Sequence, residues 1–467
     1  MFSEFRHTLM EKWTLDFWEW LFLPFLVFFI FVICSRIKNV NLKTKNREEY
    51  HYYLWGLYAK ISGVIFFVLI YVYYYGGGDT LMYYQSASSF ANLFYQSPSD
   101  YFHVLFAPGT PENRSYFDYT TGYPYNYLYL DPKTCMVLRI ISPLLIITGK
   151  SYLLTSVLLA FISYLGIWKL YQLFCYYYPD LKKHFAFAVL FFPSLIFWGS
   201  GILKDTLTFS GTCLLVYTTH HLLILKKKSL WSIIGLITSA FVIITVKPYI
   251  FMVLLPGTLL WVFYDRLVKI RNKLITWLLF PILLGFAGII SFMILSGLGD
   301  SLDKFSIDKA LETAAETQGD LKQDYYQGAS FDIGDFDGTV SGAIKLMPKA
   351  LVAGLFRPFI WESASPTVLL SGVENLFILI LLVITLIKTK ILRFVNITIQ
   401  TPLVFYSMIF SIFFAFVIGL TTSNFGALVR FKIPLIPFLI SGLFIVLHEN
   451  KLLIEEKLER YKHKVSK

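Results

Sequence analysis

Long apolar runs alternate with short polar segments along most of this chain. A helix crosses a bilayer when it offers about 20 consecutive, mainly apolar residues. Eleven runs approach that length, so the sequence predicts an all-α fold, a polytopic transmembrane helix bundle with about 11 spans. The predicted spans are residues 17–34, 54–74, 152–171, 185–202, 206–225, 230–246, 249–263, 274–298, 369–387, 403–420 and 433–447.

Two longer polar stretches interrupt this pattern, at residues 75–151 and 300–368. We expect them to be two large extracytoplasmic loops of a single membrane domain that spans residues 1–467. We also expect them to contain amphipathic or re-entrant helices. The apolar piece at residues 140–149 is too short to cross a bilayer, so it is predicted to be re-entrant or interfacial.

Composition excludes a soluble globular protein. Of the 467 residues 56% are hydrophobic and only 15% are charged, whereas soluble domains carry about a quarter charged residues. The net charge of +11 does not indicate a nucleic-acid partner, because Lys and Arg fall in short clusters between apolar runs. The four cysteines are scattered and predict neither a disulfide framework nor a zinc site.

The positions of these charges predict a topology. Cytoplasmic loops carry an excess of Lys and Arg, and a dense basic cluster follows the first span, from Arg36 to Arg47. We therefore expect the N-terminus outside and the C-terminus in the cytoplasm. Acidic residues instead gather in the second loop, between Asp300 and Asp337.

The first loop begins with Gly76-Gly77-Gly78-Asp79-Thr80. After it, apolar residues from Tyr83 to Phe94 recur at three- and four-residue spacing, which predicts an amphipathic helix lying along the membrane surface. Asp79 or Thr80 occupies the position of an N-cap, and the glycines supply a turn. Asp79 is also a candidate catalytic carboxylate, and the two roles are compatible because a capping loop is rigid.

Tyrosines crowd the later part of this loop. Tyr123, Tyr125, Tyr127 and Tyr129 alternate, which would place their rings on one face of an extended segment. Rings that carry a hydroxyl group suit sugar stacking, and they equally suit the belt at lipid headgroups. Both interpretations remain open at this stage.

Several cations fall on the predicted outer side, which the positive-inside rule disfavours. Converging cations neutralise the charge that develops on a phosphate leaving group, so we interpret them as lipid-phosphate-binding candidates. Each could instead hold a lipid headgroup or a loop carboxylate. These residues are Lys204, Arg357, Arg430, Arg139 and Lys247.

Two carboxylates accompany these cations. Asp205 follows Lys204 at the tip of an apolar hairpin, where it could cap the next span while Lys204 reaches toward water. Glu374 lies within a predicted span, and an intramembrane carboxylate is either functional or the partner of a cation such as Lys247.

These features resemble the GT-C superfamily of integral-membrane glycosyltransferases. The resemblance rests on Gly78-Asp79-Thr80 with Tyr83, and on the segment from Phe197 to Asp205, Phe-Trp-Gly-Ser-Gly-Ile-Leu-Lys-Asp. It covers mainly residues 54–225, and its motifs are short. In this family the first large loop follows the first span, whereas here it follows the second.

The resemblance implies an activity and its partners. A sugar would pass from a polyprenyl-phosphate-type lipid donor to a glycan or lipid acceptor at the extracytoplasmic face. Asp79 would be the general base of an inverting displacement, supported by Tyr83, Asp205 and Glu374. A divalent cation at Asp79 is an open expectation, and the other expected partner is membrane lipid.

Two other functions remain open from the sequence. Residues around Arg430 and the second loop also look like envelope polysaccharide polymerases and ligases, in which Arg357 and Arg430 would lead catalysis. A transporter or flippase would need charged or broken helices near the bilayer midplane. Apart from Glu374 and Glu19, the notable charges lie at the predicted outer ends.

Overall fold

The protein is helical throughout the part of the chain that a computed structural model describes, residues 14–268, 307–323, 330–363 and 365–465. In these ranges every regular element is a helix, and the isolated β-bridge joins Ser330 to Asn424. The predicted all-α class is confirmed for them. The predicted span at residues 274–298 and the first residues of the second loop lie outside the described ranges.

Twenty α-helices occupy the described residues. They are α1 Phe17–Lys45, α2 Tyr53–Leu69, α3 Asp79–Gln96, α4 Pro98–Phe106, α5 Pro111–Arg114, α6 Asn126–Leu130, α7 Pro132–Ile147, α8 Tyr152–Tyr177, α9 Lys182–Phe185, α10 Pro193–Phe197, α11 Lys204–Thr219, α12 Leu230–Val246, α13 Pro248–Val268, α14 Ile307–Asp320, α15 Val340–Phe356, α16 Pro366–Thr389, α17 Ile391–Gln400, α18 Pro402–Thr421, α19 Phe425–Phe431 and α20 Ile436–Val465. Short 3₁₀ segments are Glu48–Tyr52, Pro179–Leu181 and Ile360–Glu362, and π-helical segments are Ile70–Tyr75, Ala186–Phe191 and His220–Ile224.

Six helices in the described residues are long and apolar enough to cross a membrane. These candidate spans are Phe17–Lys45, Glu48–Tyr75, Tyr152–Tyr177, Pro366–Thr389, Pro402–Thr421 and Ile436–His463. They support a membrane-embedded protein, because each offers at least the roughly 20 residues that a bilayer requires.

The predicted span at residues 185–202 is not one continuous helix. A π-helical segment at Ala186–Phe191 precedes α10, and a turn at residues 198–203 follows it. Proline at position 193 lacks an N–H group, and Gly199 and Gly201 lie in the turn. Both residue types interrupt helices for known steric reasons.

The chain divides into two compact units. Unit one comprises Met1–Gln172, Leu190–Leu214 and Ile237–Lys247, and unit two comprises Leu173–Val189, Leu215–Leu236 and Pro248–Lys467.

In unit one, α3 packs against α7 through the face that carries Tyr83, Ala87 and Phe90, all of which are buried. The apolar face of this helix is therefore covered by protein, and its position along the membrane surface stays a prediction. Most of the piece at residues 140–149, which was predicted to be re-entrant or interfacial, forms the second half of α7.

A buried carboxylate at the start of α1 has a structural explanation in the same unit. Glu19 accepts a hydrogen bond from the backbone N–H of Leu153 at 3.2 Å and another from the Ser151 hydroxyl. It is only 5% exposed. Negative charge at a helix N-terminus satisfies free N–H groups and complements the helix dipole, so Glu19 stabilises the beginning of α8.

The loop before α3 is held by one hydroxyl pair and one special glycine. Thr80 is buried, and its hydroxyl oxygen lies 2.9 Å from the hydroxyl oxygen of Tyr152. Gly78 is the N-cap, with φ of 113°, so the prediction that Asp79 or Thr80 caps α3 is wrong. Asp79 is instead the first residue of the helix.

Replacing Gly78 with alanine should destabilise this loop. A Cβ there would lie 2.9 Å from the Tyr71 ring, on a backbone conformation that L-residues rarely adopt. We expect Gly78→Ala to lower the free energy of unfolding by about 1–3 kcal/mol. Gly77→Ala is the matched control, because its Cβ would meet nothing within 4 Å. Thermal unfolding in detergent should separate the two variants, and equal melting temperatures would contradict this account of the loop.

Candidate functional site

The polar face of α3 is covered by the segment at residues 118–127. Gln96 donates to Asp118 at 3.1 Å, and Asn92 donates to the Thr121 carbonyl at 2.9 Å. Nearer the start of the helix, the N–H of Tyr125 donates to the Ser86 hydroxyl at 3.1 Å. The segment therefore runs antiparallel to α3 and delivers its last residues to the beginning of that helix.

Asp79 and Tyr127 come together at this point. Asp79 is exposed at the first position of α3, and the Tyr127 hydroxyl lies 2.7 Å from the sulfur of Met82 in the same helical turn. Partial burial raises the pKa of Tyr127 to about 12, and the negative charge of Asp79 contributes to the rise. Tyr127 therefore stays protonated and can act as a hydrogen-bond donor beside the carboxylate.

The tyrosines do not form the predicted extended ladder. Tyr127 and Tyr129 lie in α6, and Tyr129 is fully buried, so the alternation in sequence did not indicate a strand. Tyr125 is held by its hydroxyl, which donates to the side-chain amide oxygen Oε1 of Gln85 at 2.5 Å. Tyr123 remains 45% exposed under the guanidinium of Arg114, 5.3 Å from the ring centre.

Of the predicted sugar-stacking residues, Tyr123 and Tyr127 present the most ring surface. Tyr83 is 8% exposed and lies on the packed face of α3. Tyr83 can therefore support the site only through packing and its hydroxyl group, rather than by contact with a large ligand.

Asp131 joins α6 to α7 and organises the next part of the site. Its carboxylate accepts from the Thr134 N–H at 3.1 Å, an N-cap bond, and also from the Thr134 hydroxyl. The side chain of Lys204 donates to Thr134 Oγ1 at 2.5 Å and lies 3.4 Å from Asp131 Oδ2. The start of α11 is thereby tied to the start of α7.

The pKa values of this pair reflect its partial burial. Burial lowers the pKa of Lys204, and the charge of Asp131 offsets part of that effect. Burial opposes ionisation of Asp131, but hydrogen bonding from Thr134 and the charge of Lys204 outweigh it and lower the pKa of Asp131. The lowered pKa of Asp131 keeps this carboxylate ionised near neutral pH.

Asp205 points to a different partner. It forms a buried ion pair with Lys247, with 2.5 Å between Oδ1 and Nζ, and both side chains are at most 8% exposed. Lys204 is therefore paired with Asp131, and Asp205 is paired with Lys247. A buried pair of this kind is strongly destabilising to break by removing one partner.

We call Asp131, Thr134, Lys204, Asp205 and Lys247 the charged cluster. The positive charge of Lys247 acts to lower the pKa of Lys204, and the negative charge of Asp205 acts to raise it. Within the charged cluster, Lys204 and Asp131 keep part of their surface exposed, at 21% and 42% of the side chain. These two residues can contact a ligand, whereas the Asp205–Lys247 pair is buried.

Arg139, a predicted phosphate ligand in the same unit, has a structural contact instead. It lies on α7 and donates to the carbonyl of Ala107. This contact holds the segment after α4 against α7. No carboxylate in the described ranges forms an ion pair with Arg139.

In unit two, Arg357 is bound to protein groups on three sides. Its Nε lies 2.9 and 3.1 Å from the two carboxylate oxygens of Glu362. Its guanidinium carbon lies 4.6 Å from the ring centre of Phe331 and 5.6 Å from that of Phe425. Arg357 thus joins the segment around Phe331 to the start of α19, where the Phe331 N–H also donates to Ser423.

Lys432 is a buried cation of unit two. It donates to the Asn375 side chain at 2.8 Å and to the Arg357 carbonyl at 2.9 Å. The negative charge of Glu374, which is 7% exposed, offsets part of the lowering that burial causes in the pKa of Lys432. Arg430, a predicted phosphate ligand, lies half-buried in the last turn of α19, two residues before Lys432.

The main residues missed by the sequence analysis are Asp131 and Thr134. The signal was present, because Asp-Pro-Lys-Thr at residues 131–134 has an N-cap residue followed by proline at the first helical position. What the sequence could not supply was the contact of these residues with Lys204, seventy positions away.

The described residues contain no group of three or more His, Cys, Asp or Glu side chains that could hold a metal ion. Comparisons of the chain with protein-family models, curated proteins and solved structures found no match.

Proposed function

We propose that this chain is a multi-pass membrane glycosyltransferase that transfers a sugar from a polyprenyl-phosphate-type lipid donor to an acceptor at the extracytoplasmic face. One observation carries the proposal. The exposed carboxylate of Asp79 lies beside Tyr127, and the short helix that holds Tyr127 is followed directly by Asp131, which lies next to Lys204. Residues 126–131 therefore connect a base and an aromatic ring to a cation within unit one.

In this proposal Asp79 is the general base of an inverting displacement. It accepts the proton of the acceptor hydroxyl as that oxygen attacks the anomeric carbon. The bond from the anomeric carbon to the phosphate oxygen breaks, and its electron pair leaves with the phosphate. Tyr127 and Tyr123 offer exposed rings against which the sugar can stack.

Lys204 supplies positive charge for the leaving phosphate. Of the residues proposed for this role, it combines partial exposure with a position fixed by Thr134 and Asp131. An ammonium group has three donors, and two of them are directed to these partners, so one can reach a phosphate oxygen. Electrostatic stabilisation of a departing anion is among the largest contributions to catalysis.

The other proposed cations have smaller parts in this reaction. Lys247 and Asp205 fix the beginning of α11 through their buried pair, and Arg139 holds the loop after α4. An arginine-led polymerase or ligase is the weaker proposal, because Arg357 is occupied by Glu362 and by two phenylalanine rings. No step is routed through a metal ion.

The proposal includes the topology derived from charge. It has about eleven spans, an outside N-terminus and a cytoplasmic C-terminus, in a bacterial inner or cell membrane. The six apolar helices of the described ranges support membrane insertion. The exposed lysines Lys226, Lys227 and Lys228 mark one of the proposed cytoplasmic connections.

Asp79→Asn should abolish transfer while leaving the fold intact. The amide keeps the size of the side chain but cannot accept the proton, and loss of a general base typically reduces rates by about 10²–10⁴-fold. Transfer of labelled sugar from polyprenyl-phosphate donors in isolated membranes measures the effect. Glu112→Gln, an exposed carboxylate in the same loop, is the control and should retain activity. Wild-type transfer by Asp79→Asn would refute the general-base role.

The side of the membrane that carries the site can be tested with thiol labelling. The four native cysteines are buried, which keeps the background low. Cysteine in place of Tyr119, which is 96% exposed, should react with an impermeant maleimide in intact cells. Cysteine in place of exposed Lys228 should react only after permeabilisation. The reverse pattern would place Asp79 on the cytoplasmic side and exclude an extracytoplasmic reaction.

A further inference from the structure

A buried lysine lies near the middle of the candidate span Glu48–Tyr75. Lys60 is 3% exposed, and no carboxylate in the described ranges forms an ion pair with it. Its side-chain nitrogen donates instead to the carbonyl of Gly199 and approaches that of Leu195 at 3.5 Å. A polar group in the apolar part of a span is costly, so its retention calls for a specific role.

The two carbonyls belong to the break between α10 and α11. Carbonyl groups at the end of a helix have no partner within it, and beside a membrane span no water is available to satisfy them. Lys60 donates hydrogen bonds to the carbonyls of Gly199 and Leu195, and Thr206 Oγ1 donates to the Gly201 carbonyl at 2.6 Å. Side chains therefore complete the hydrogen bonding of the break.

Close packing brings this break within reach of Lys60. A Cβ at Gly63 would lie 2.6 Å from the Ile196 carbonyl oxygen, and a Cβ at Gly201 would overlap the ring of Phe67. Glycine at these two positions lets the backbone of residues 196–201 lie directly on the span. Ser163 of α8 also approaches the Gly199 carbonyl, at 3.5 Å.

The break determines where α11 begins, and α11 begins with Lys204 and Asp205. We infer that Lys60 is a positioning residue, which fixes the break at residues 198–203 so that Lys204 reaches Asp131 and Asp205 reaches Lys247. Its effect on the reaction is exerted through Lys204. This inference rests on the proposed function for its catalytic consequence, but not for its structural one.

The structural consequence can be measured without any substrate. Lys60→Met has a similar length and no donor, so the two carbonyls lose their partner. We expect amide hydrogen exchange in peptides covering residues 196–206 to become roughly tenfold faster or more in detergent or nanodiscs, while α3 and α7 exchange as before. Lys60→Arg restores donors and should recover much of the protection. Lys228→Met is the control for replacing an exposed lysine.

Sugar transfer by the same variants tests the catalytic consequence. We expect Lys60→Met to lower kcat about tenfold or more with a smaller change in KM, because the tyrosine rings proposed to bind the sugar and Asp79 are unchanged. Lys60→Arg should recover part of the lost kcat. Unchanged exchange at residues 196–206 in Lys60→Met would overturn the inference. Faster exchange with wild-type transfer would overturn the link to Lys204.

Failure of the proposed function gives a different result. If wild-type protein transfers no sugar, yet Lys60→Met still loosens residues 196–206 and Lys60→Arg restores them, the positioning role stands and the glycosyltransferase proposal falls. If Lys60→Met does not fold, Lys60→Gln keeps an amide donor on a shorter side chain and should exchange at an intermediate rate. Protection equal to wild type in that variant would overturn the inference.

Discussion

Polar groups that leave water must find partners inside the protein, and in unit one this constraint determines how the helices are joined. Glu19 satisfies the start of α8, and Lys60 satisfies the end of α10. The buried pair of Asp205 and Lys247 satisfies two charges at once. Each contact joins segments that are far apart in the chain, so helix positions follow from polar pairing as well as from apolar packing. The beginnings of α3, α7 and α11, which carry the candidate site residues, are held by the Thr80–Tyr152 contact, the Asp131–Thr134 cap and the Asp205–Lys247 pair.

Apolar periodicity predicted the all-α class of the described residues, because the length of an apolar run is a local property. It could not predict what covers a helix. The apolar face of α3 was expected to meet lipid, but α7 covers it, and residues 118–127 cover its polar face. The alternating tyrosines suggested a strand, whereas α6 contains Tyr127 and Tyr129. Such outcomes depend on distant segments that a local pattern does not contain.

The candidate residues could be selected from the sequence by charge and position, but their roles could not. Asp79, Lys204 and Tyr127 keep exposed surface. Asp79 lies beside Tyr127, and Lys204 contacts Asp131, which directly follows the helix that holds Tyr127. Lys247 and Arg357 are occupied by protein carboxylates, in unit one and unit two respectively. An ion pair forms only when folding brings its two side chains together. The sequence therefore could not tell a structural cation from one that is available to a ligand. This distinction is the reason for placing the reaction at Asp79 and Lys204.

The most direct measurement is to locate the lipid donor on the wild-type protein. A photoreactive polyprenyl-phosphate analogue can be crosslinked in membranes and its attachment mapped by peptide mass spectrometry. The account predicts attachment within residues 123–134 and 198–206, next to Tyr127 and Lys204. Attachment confined to peptides around Arg357 and Arg430 would contradict it, because the phosphate would then lie in unit two and the arginine-led alternative would hold.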